Sequence, residues 1–199
     1  MRRTIFVLVS SLLVVAVAFG QQPSKKNAYV AKIVKEISPK NLKATIDKLA
    51  GFGTRLTLSD TVSNTRGIGA ARRWIKSEFE RYAQASRGRM SVEFFETTVP
   101  PMQRIPTPTN VVDVVATLKP AQPGPSADRI IVVGGHYDSR PANVLDVNSD
   151  APGANDDGSG TAVVLELARV MSKYDFDATI VFIAFGRRGA GFAWRCGLG

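Results

Sequence analysis

The only histidine of this 199-residue chain, His136, lies close in sequence to carboxylates that could share a metal ion with it. The segment GGHYDS covers residues 134–139, and the segment PGANDDGSG covers residues 152–160. A hydrolytic zinc site uses neutral imidazole and carboxylate ligands, together with a neighbouring group that fixes the imidazole tautomer. The composition of these two segments therefore predicts a metal site.

The spacing of the polar residues suggests a role for each of them. In an extended segment, residues two apart point to the same side, so the Asp138 carboxylate could accept the free N–H of the His136 imidazole. Asp156 lies in a glycine-flanked turn ahead of a helical segment, where its carboxylate could bridge two cations. We predict His136 and Asp156 as metal ligands and Asp138 as the catalytic-site residue that orients the imidazole.

A calcium loop is an alternative interpretation of the same region. Asp146, Asn148 and Asp150 alternate as in the first half of such a loop, with Asp157 at the twelfth place. However, Ala151 stands where the loop needs glycine, and Asp157 replaces the bidentate glutamate. Calcium is therefore disfavoured.

Two further alternatives stay open at this point. Gly158 and Gly160 open a helical segment and suggest a phosphate cradle, although Asp156 and Asp157 would repel a phosphate and no P-loop lysine follows. His136 on its own also fits a structural histidine at the end of a strand. The whole constellation, rather than the histidine alone, favours a metal.

Hydrophobic periodicity predicts the helices and strands that would carry these segments. Ser38 followed by Pro39 is typical of a helix start, and Gly51 is predicted as the left-handed residue beyond the end of that helix. A helix from Gly67 to about Ala85 would have one apolar stripe, consisting of Ile68, Ala71, Ile75, Phe79 and Tyr82. Other helices are predicted from residue 28 and over residues 161–174, and strands over residues 91–99, 110–118, 129–135 and 178–185.

The order of these elements predicts the sheet. Residues 130–133 are uniformly apolar, which predicts a strand that is covered on both faces. This strand, the helix after it and the strand at 178–185 form a β-α-β unit, so the two strands should be parallel. His136 and Asp156 would then lie at the carboxyl edge of the sheet, where ligands bind in open α/β folds. The predicted fold class is α/β, with a mixed, mostly parallel sheet flanked by helices.

Residues 1–20 are typical of a secretory signal peptide. An apolar run at residues 5–19 follows a basic start, and Ala18 and Gly20 occupy the small-residue positions before a cleavage point. The run is shorter than the ~20 residues that span a bilayer, which favours cleavage over a membrane anchor. We predict export to the periplasm or extracellular space, a flexible segment at residues 21–27, and no membrane attachment after cleavage.

The formal net charge of +9 does not by itself indicate nucleic-acid binding. The remaining basic residues are scattered and are not interleaved with aromatic residues, as they are in single-strand binders. We therefore expect no nucleic-acid partner. The charge falls to +4 without the arginines of the signal segment and the chain end, which are Arg2, Arg3, Arg187, Arg188 and Arg195.

The motifs HYDS at residues 136–139 and PGANDDGSG at residues 152–160 resemble those of the co-catalytic zinc exopeptidases related to aminopeptidase Y and bacterial leucyl aminopeptidase. The resemblance also takes in GFGTR at residues 51–55 and covers most of residues 28–185. It implies a phosphorylase/hydrolase-like fold and a site with two zinc ions.

The resemblance also implies individual roles. His136 would bind one zinc ion, Asp156 would bridge both ions, and Asp138 would orient His136. In relatives the bridging aspartate forms a cis peptide with the next residue, which is Asp157 here.

The chain departs from that family after residue 185. The family's strand ends in Gly-Glu-Glu, which supplies a general base and a zinc ligand, whereas Gly186 is followed here by Arg187 and Arg188. A guanidinium stays protonated and cannot serve as a base. Residues 186–198 can be encoded so that removing one base restores Gly-Glu-Glu, which suggests a frameshift; a genuine divergent terminus is the alternative.

The sequence as a whole predicts a secreted zinc-dependent aminopeptidase that acts on peptides with a free N-terminus. Residues 28–185 would be the N-terminal portion of the peptidase domain and residues 186–199 an out-of-frame tail, so we expect the chain itself to be inactive. One alternative is a glutaminyl-peptide cyclotransferase with the same fold and one zinc ion, although those relatives generally lack the DDGSG turn. Another is a non-catalytic binding domain that kept the fold.

Overall fold

The computed structural model describes residues 27–122 and 124–187. The predicted signal peptide at residues 1–20, residues 21–26 of the predicted flexible segment, and residues 188–199 of the tail predicted at residues 186–199 lie outside the described residues. The helices are α1 (Ala28–Lys35), α2 (Pro39–Ala50), α3 (Gly67–Ala83) and α4 (Ser159–Met171), and the strands are β1 (Met90–Val99), β2 (Thr109–Leu118), β3 (Ile130–His136) and β4 (Thr179–Phe185).

Helices α1, α2 and α3 begin where the sequence predicts, and α4 begins at Ser159, two residues before its predicted start. The Asn27 side chain accepts from the backbone at the start of α1, and Ser38 caps α2 with Pro39 at its first turn. The expectation for Gly51 was wrong, because its φ of −64° continues the right-handed helix. The left-handed residue is Gly53, with a φ of 72°, since the chain turns two residues later than predicted. Within the described residues, no helix is both long and apolar enough to cross a membrane.

Helix α3 packs against the sheet through its predicted apolar stripe. All five residues of the stripe are buried, and Ile75 and Phe79 are fully inaccessible to solvent. They join a core that includes Val114 and Leu118 of β2 and Phe182 of β4. Burial of one such large side chain is worth about 1.5–3 kcal/mol, so this face fixes the helix on the sheet.

The sheet is open and mixed, with the strand order β1-β2-β4-β3. Strand β3 pairs with β4 in parallel, as the β-α-β unit predicts. The pairings of β2 with β1 and with β4 are antiparallel. The predicted mixed α/β fold is confirmed. The expectation of a mostly parallel sheet was wrong for the described strands, because two of their three pairings are antiparallel.

The expectation that residues 130–133 are covered on both faces was wrong. Ile130, Ile131 and Val132 are each about half exposed. In the described part of the chain β3 is one of the two edge strands, and it pairs only with β4. The described elements therefore do not bury the apolar side chains of this strand.

Candidate functional site

His136 ends β3 at the carboxyl edge of the sheet, and two carboxylates face its two ring nitrogens. Its Nδ1 lies 3.0 Å from Oδ1 of Asp138, and its Nε2 lies 3.2 Å from Oδ1 of Asp156. The hydrogen bond to Asp138 raises the pKa of His136 and outweighs the opposing effect of burial. The structure therefore brings together all three predicted site residues, with the Asp138 carboxylate at one imidazole nitrogen and the Asp156 carboxylate at the other.

Asp157 performs a role that the sequence argument missed. Its carboxylate accepts from the backbone N–H of His136 at 3.1 Å and from that of Gly160 at 2.8 Å. The end of β3 is thereby joined to the start of α4. The peptide between Asp156 and Asp157 is cis, which confirms what the resemblance implies.

Arg55 is the largest fully buried side chain of the described chain. Its guanidinium donates to four backbone carbonyls and has no carboxylate among these acceptors. The acceptors and their distances are Tyr137 at 2.6 Å, Leu49 and Pro152 at 2.7 Å each, and Gly153 at 3.0 Å. Burial lowers the pKa of Arg55 to about 10, so the side chain stays charged at neutral pH. The sequence pointed to Arg55 only as part of the motif at residues 51–55.

Close backbone packing holds the two motif segments together. A Cβ atom added at Gly135 would lie 2.8 Å from the backbone of Gly160, so β3 and α4 touch at this point. Gly153 has a φ of 46°, and an added Cβ atom there would lie 2.5 Å from Cβ of Ser139. The glycines of both motifs thus permit approaches that larger residues would block.

The alternative ion sites find no support in the structure. The Asp146 carboxylate accepts from the backbone of Asn148 and Ser149, and Asp150 forms an ion pair with Arg66, so these acids do not converge on a calcium ion. The N-terminus of α4 already receives the carboxylate of Asp157, which occupies the position that a phosphate would take.

A cavity of about 290 Å³ opens beside His136 and Asp156. The chain enters this cavity just after β4, where Arg187 lines the wall. The preceding residue, Gly186, donates its backbone N–H to the Asp113 carboxylate at 2.8 Å. Burial raises the pKa of Asp113. The resemblance calls for a general base at position 187, whereas the guanidinium found there is a permanent cation.

The donor set fits part of a zinc site. His136 Nε2 and the Asp156 carboxylate are suitable ligands, and Asp138 behind the imidazole is the orienting group typical of metal-bound histidine. Residues 27–122 and 124–187 contain no group of three or more histidine, cysteine, aspartate or glutamate side chains placed to hold a metal ion. The described chain therefore supplies two ligands of a site that needs more.

Comparison with known proteins points to one family. Residues 113–187 match the family model described as peptidase family M28. A probable zinc metalloprotease of Leptosphaeria maculans is 48% identical over 82% of this chain and 38% of its own length. Leucine aminopeptidase 1 of Pyrenophora teres f. teres is 32% identical over 78% of this chain and 35% of its own length. The chain thus spans little more than a third of these curated relatives.

Solved structures share the fold at low sequence identity. An aminopeptidase from Aneurinibacillus sp. strain AM-1 superposes with a TM-score of 0.56 and 18% identity, covering 78% of this chain and 64% of its own. A glutaminyl cyclase from Porphyromonas gingivalis superposes with a TM-score of 0.58 and 20% identity, covering 75% of this chain and 48% of its own. The zinc exopeptidase-like fold expected from the sequence is confirmed.

Proposed function

We propose that the chain, of which residues 113–187 match the model of peptidase family M28, is the N-terminal part of an exported zinc-dependent aminopeptidase. The whole enzyme would release the first residue from peptides with a free N-terminus, with two zinc ions in its site. The curated relatives support this assignment by their names, a probable zinc metalloprotease and a leucine aminopeptidase. The apolar run at residues 5–19 after a basic start supports export.

One observation carries the proposal: His136 is held between two carboxylates that act on different nitrogens. Asp138 faces Nδ1, which leaves Nε2 directed at Asp156. A structural histidine needs no second carboxylate at its other nitrogen. In a metal site, a carboxylate at one ring nitrogen fixes the tautomer and leaves the other nitrogen for the metal. His136 and Asp156 would hold zinc, and Asp138 would keep the imidazole in place.

The chain's own residues also define what the site can and cannot do. When bound, zinc would polarise the scissile carbonyl and make a water molecule more acidic. Leu56 and Ile105, both buried, form apolar walls of the cavity beside His136. Arg187 lines the same cavity but cannot accept a proton at working pH. We therefore propose that this chain lacks the base for hydrolysis and is inactive by itself.

Glutaminyl-peptide cyclisation is the second candidate, because solved glutaminyl cyclases superpose as well as the aminopeptidase does. That likeness concerns the fold. The turn that contains Asp156 and Asp157 favours the peptidase, since the cyclotransferase relatives generally lack it. A non-catalytic binding domain is the third candidate.

Resequencing the gene across codon 186, followed by an activity assay, tests the proposal. If one base is inserted there, the reading frame should continue as Gly-Glu-Glu. The frame-restored protein should then release leucine from leucine-p-nitroanilide, and a chelator or the substitution His136→Gln should abolish this activity. A Val62→Gln variant, changed at an exposed loop residue, serves as the matched control and should stay active.

Each other outcome has a defined meaning. Cyclisation of an N-terminal glutamine peptide without leucine release would support the second candidate. Confirmation of the present reading frame, with no family-like continuation, would refute the frameshift. Zinc-dependent leucine release by the 199-residue chain would refute its proposed inactivity.

A further inference from the structure

Three arginines line the cavity that contains the candidate metal site, and two of them, Arg104 and Arg140, have no hydrogen-bond partner among the described residues, whereas Arg187 contacts the sulfur of Met102. Arg104 and Arg140 are exposed at this cavity, and no carboxylate or carbonyl of residues 27–122 or 124–187 accepts a hydrogen bond from them. By contrast, Arg66 pairs with Asp150, and Arg169 pairs with Glu166. The cavity therefore contains two cationic groups whose hydrogen-bonding capacity is not used by the part of the chain that the structure describes.

Both arginines project from fixed backbone. Arg104 lies in a tight turn closed by backbone hydrogen bonds of 2.7 and 2.9 Å between Met102 and Ile105, and Ile105 is buried. Arg140 directly follows Ser139, a buried residue whose hydroxyl donates to the carbonyl of Ala151 and accepts from the backbone of Arg55. The fold thus fixes the backbone positions of Arg104 and Arg140.

The charge and shape of the guanidinium group indicate the ligand. A guanidinium presents a planar fork of N–H donors that matches a carboxylate with two parallel hydrogen bonds. An anion at Arg104 and Arg140 would lie in the same cavity as His136 and Asp156. A peptide bound there would therefore meet cationic groups near the point where it is cleaved.

The size of the cavity limits how far along the peptide this carboxylate can be. A volume of about 290 Å³ is that of a sphere roughly 8 Å across, and an extended chain advances about 3.5 Å per residue. The cavity therefore admits about two residues. An anion bound inside this cavity would therefore belong to about the first two or three residues of the bound peptide.

We propose that Arg104 and Arg140 form a carboxylate-binding subsite that selects peptides with a carboxylate within their first two or three residues. The inference rests on the proposed function, because it takes the bound molecule to be a peptide with its N-terminus at His136 and Asp156. The carboxylate can be the C-terminus of a dipeptide or an acidic side chain at the second position. Both sources present the same chemistry to the two arginines.

The binding of short peptides to the 199-residue chain, measured by NMR or calorimetry at low salt, tests the subsite without any need for catalysis. The probes are Leu-Leu against Leu-Leu-amide for a C-terminal carboxylate, and Leu-Glu-amide against Leu-Gln-amide for a side chain. The carboxylate member of at least one pair should bind about threefold to fivefold more tightly, as expected for a solvent-accessible ion pair. The pair that shows the preference identifies the source of the carboxylate.

The variants Arg104→Gln and Arg140→Gln should each reduce this preference while the thermal unfolding curve stays unchanged. Arg129→Gln is the matched control, since Arg129 is exposed and lies outside the cavity, and it should keep the preference. Equal binding within both pairs, absence of binding by every probe, or equal loss in the control would overturn the subsite. A carboxylate preference together with a failed leucine-release assay would instead overturn the proposed peptidase function.

Discussion

The Arg55 guanidinium donates a hydrogen bond at 2.6 Å to the backbone carbonyl of Tyr137, the residue between His136 and Asp138. The same guanidinium donates to the carbonyls of Pro152 and Gly153, at the start of the segment that carries Asp156. One buried side chain thus connects the two segments of the candidate metal site. The distance between His136 and Asp156 depends on a residue that contacts neither side chain.

The substitution Arg55→Met should strongly destabilise the chain. It leaves four carbonyls without their donor, and an unsatisfied buried polar group costs about 1–3 kcal/mol. The free energy of unfolding, measured by urea denaturation, should fall by at least about 3 kcal/mol. Arg129→Met, at an exposed arginine, should change it by less than about 0.5 kcal/mol. Equal effects of the two substitutions would show that the carbonyl contacts do not matter.

The substitution Gly135→Ala should disturb the contact between β3 and α4. The added methyl group would lie 2.8 Å from the backbone of Gly160, and backbone atoms cannot rotate aside. We expect a loss of about 1–3 kcal/mol in thermal or urea unfolding, as for overpacking of a close contact. Gly124→Ala is the control, because an added Cβ atom there meets nothing within 4 Å. An unchanged stability of the Gly135 variant would contradict the close packing.

Local patterns in the sequence predicted much of the site. The two-residue spacing in an extended segment was enough to place Asp138 at His136, and the apolar stripe of α3 was sufficient to orient that helix. These patterns depend on the periodicity of strands and helices, which can be read from residues that are close together in the sequence. The contacts of Arg55 were beyond reach, because its acceptors are carbonyls, which every residue has, and three of them are more than 80 residues away in the chain.

The exposure of β3 could not be predicted for a different reason. An apolar run indicates that a strand is suited to burial, but it does not indicate which element covers the strand. In the described chain Ile130, Ile131 and Val132 have no covering element and remain about half exposed. Pairing order within the sheet is likewise a property of the whole fold.

The exposed edge of β3 should promote self-association of the 199-residue chain. An edge strand with apolar side chains and unpaired backbone groups is a template for pairing with another chain. The substitution Val132→Lys should shift sedimentation velocity profiles at high protein concentration toward the monomer, since a charged side chain opposes edge pairing. Val62→Lys, at an exposed loop residue, should leave the profiles unchanged. A monomeric unmodified chain at all concentrations would contradict the prediction.

Glu166 should make the stability of the chain depend on pH. Its carboxylate is almost fully buried and accepts from the Arg169 side chain at 2.7 Å and from the backbone of Ser38 at 2.7 Å, which joins α4 to the start of α2. Burial alone would raise the pKa of Glu166, but these hydrogen bonds outweigh it and leave the pKa below its ordinary value.

Because the pKa of Glu166 is lower in the folded than in the unfolded chain, its stabilising contribution is complete above the ordinary value of 4.5 and is lost as the pH falls through the folded pKa. At pH 7, Glu166→Gln should lower the free energy of unfolding by about 3 kcal/mol, as expected when a buried ion pair loses one charge. In urea titrations between pH 7 and pH 3, the difference between the unmodified chain and this variant should shrink below pH 4.5. The control Glu93→Gln, at an exposed position of β1, should change the free energy of unfolding by less than about 0.5 kcal/mol at every pH. If the effect of Glu166→Gln stayed constant down to pH 3, the lowered pKa of Glu166 would be contradicted.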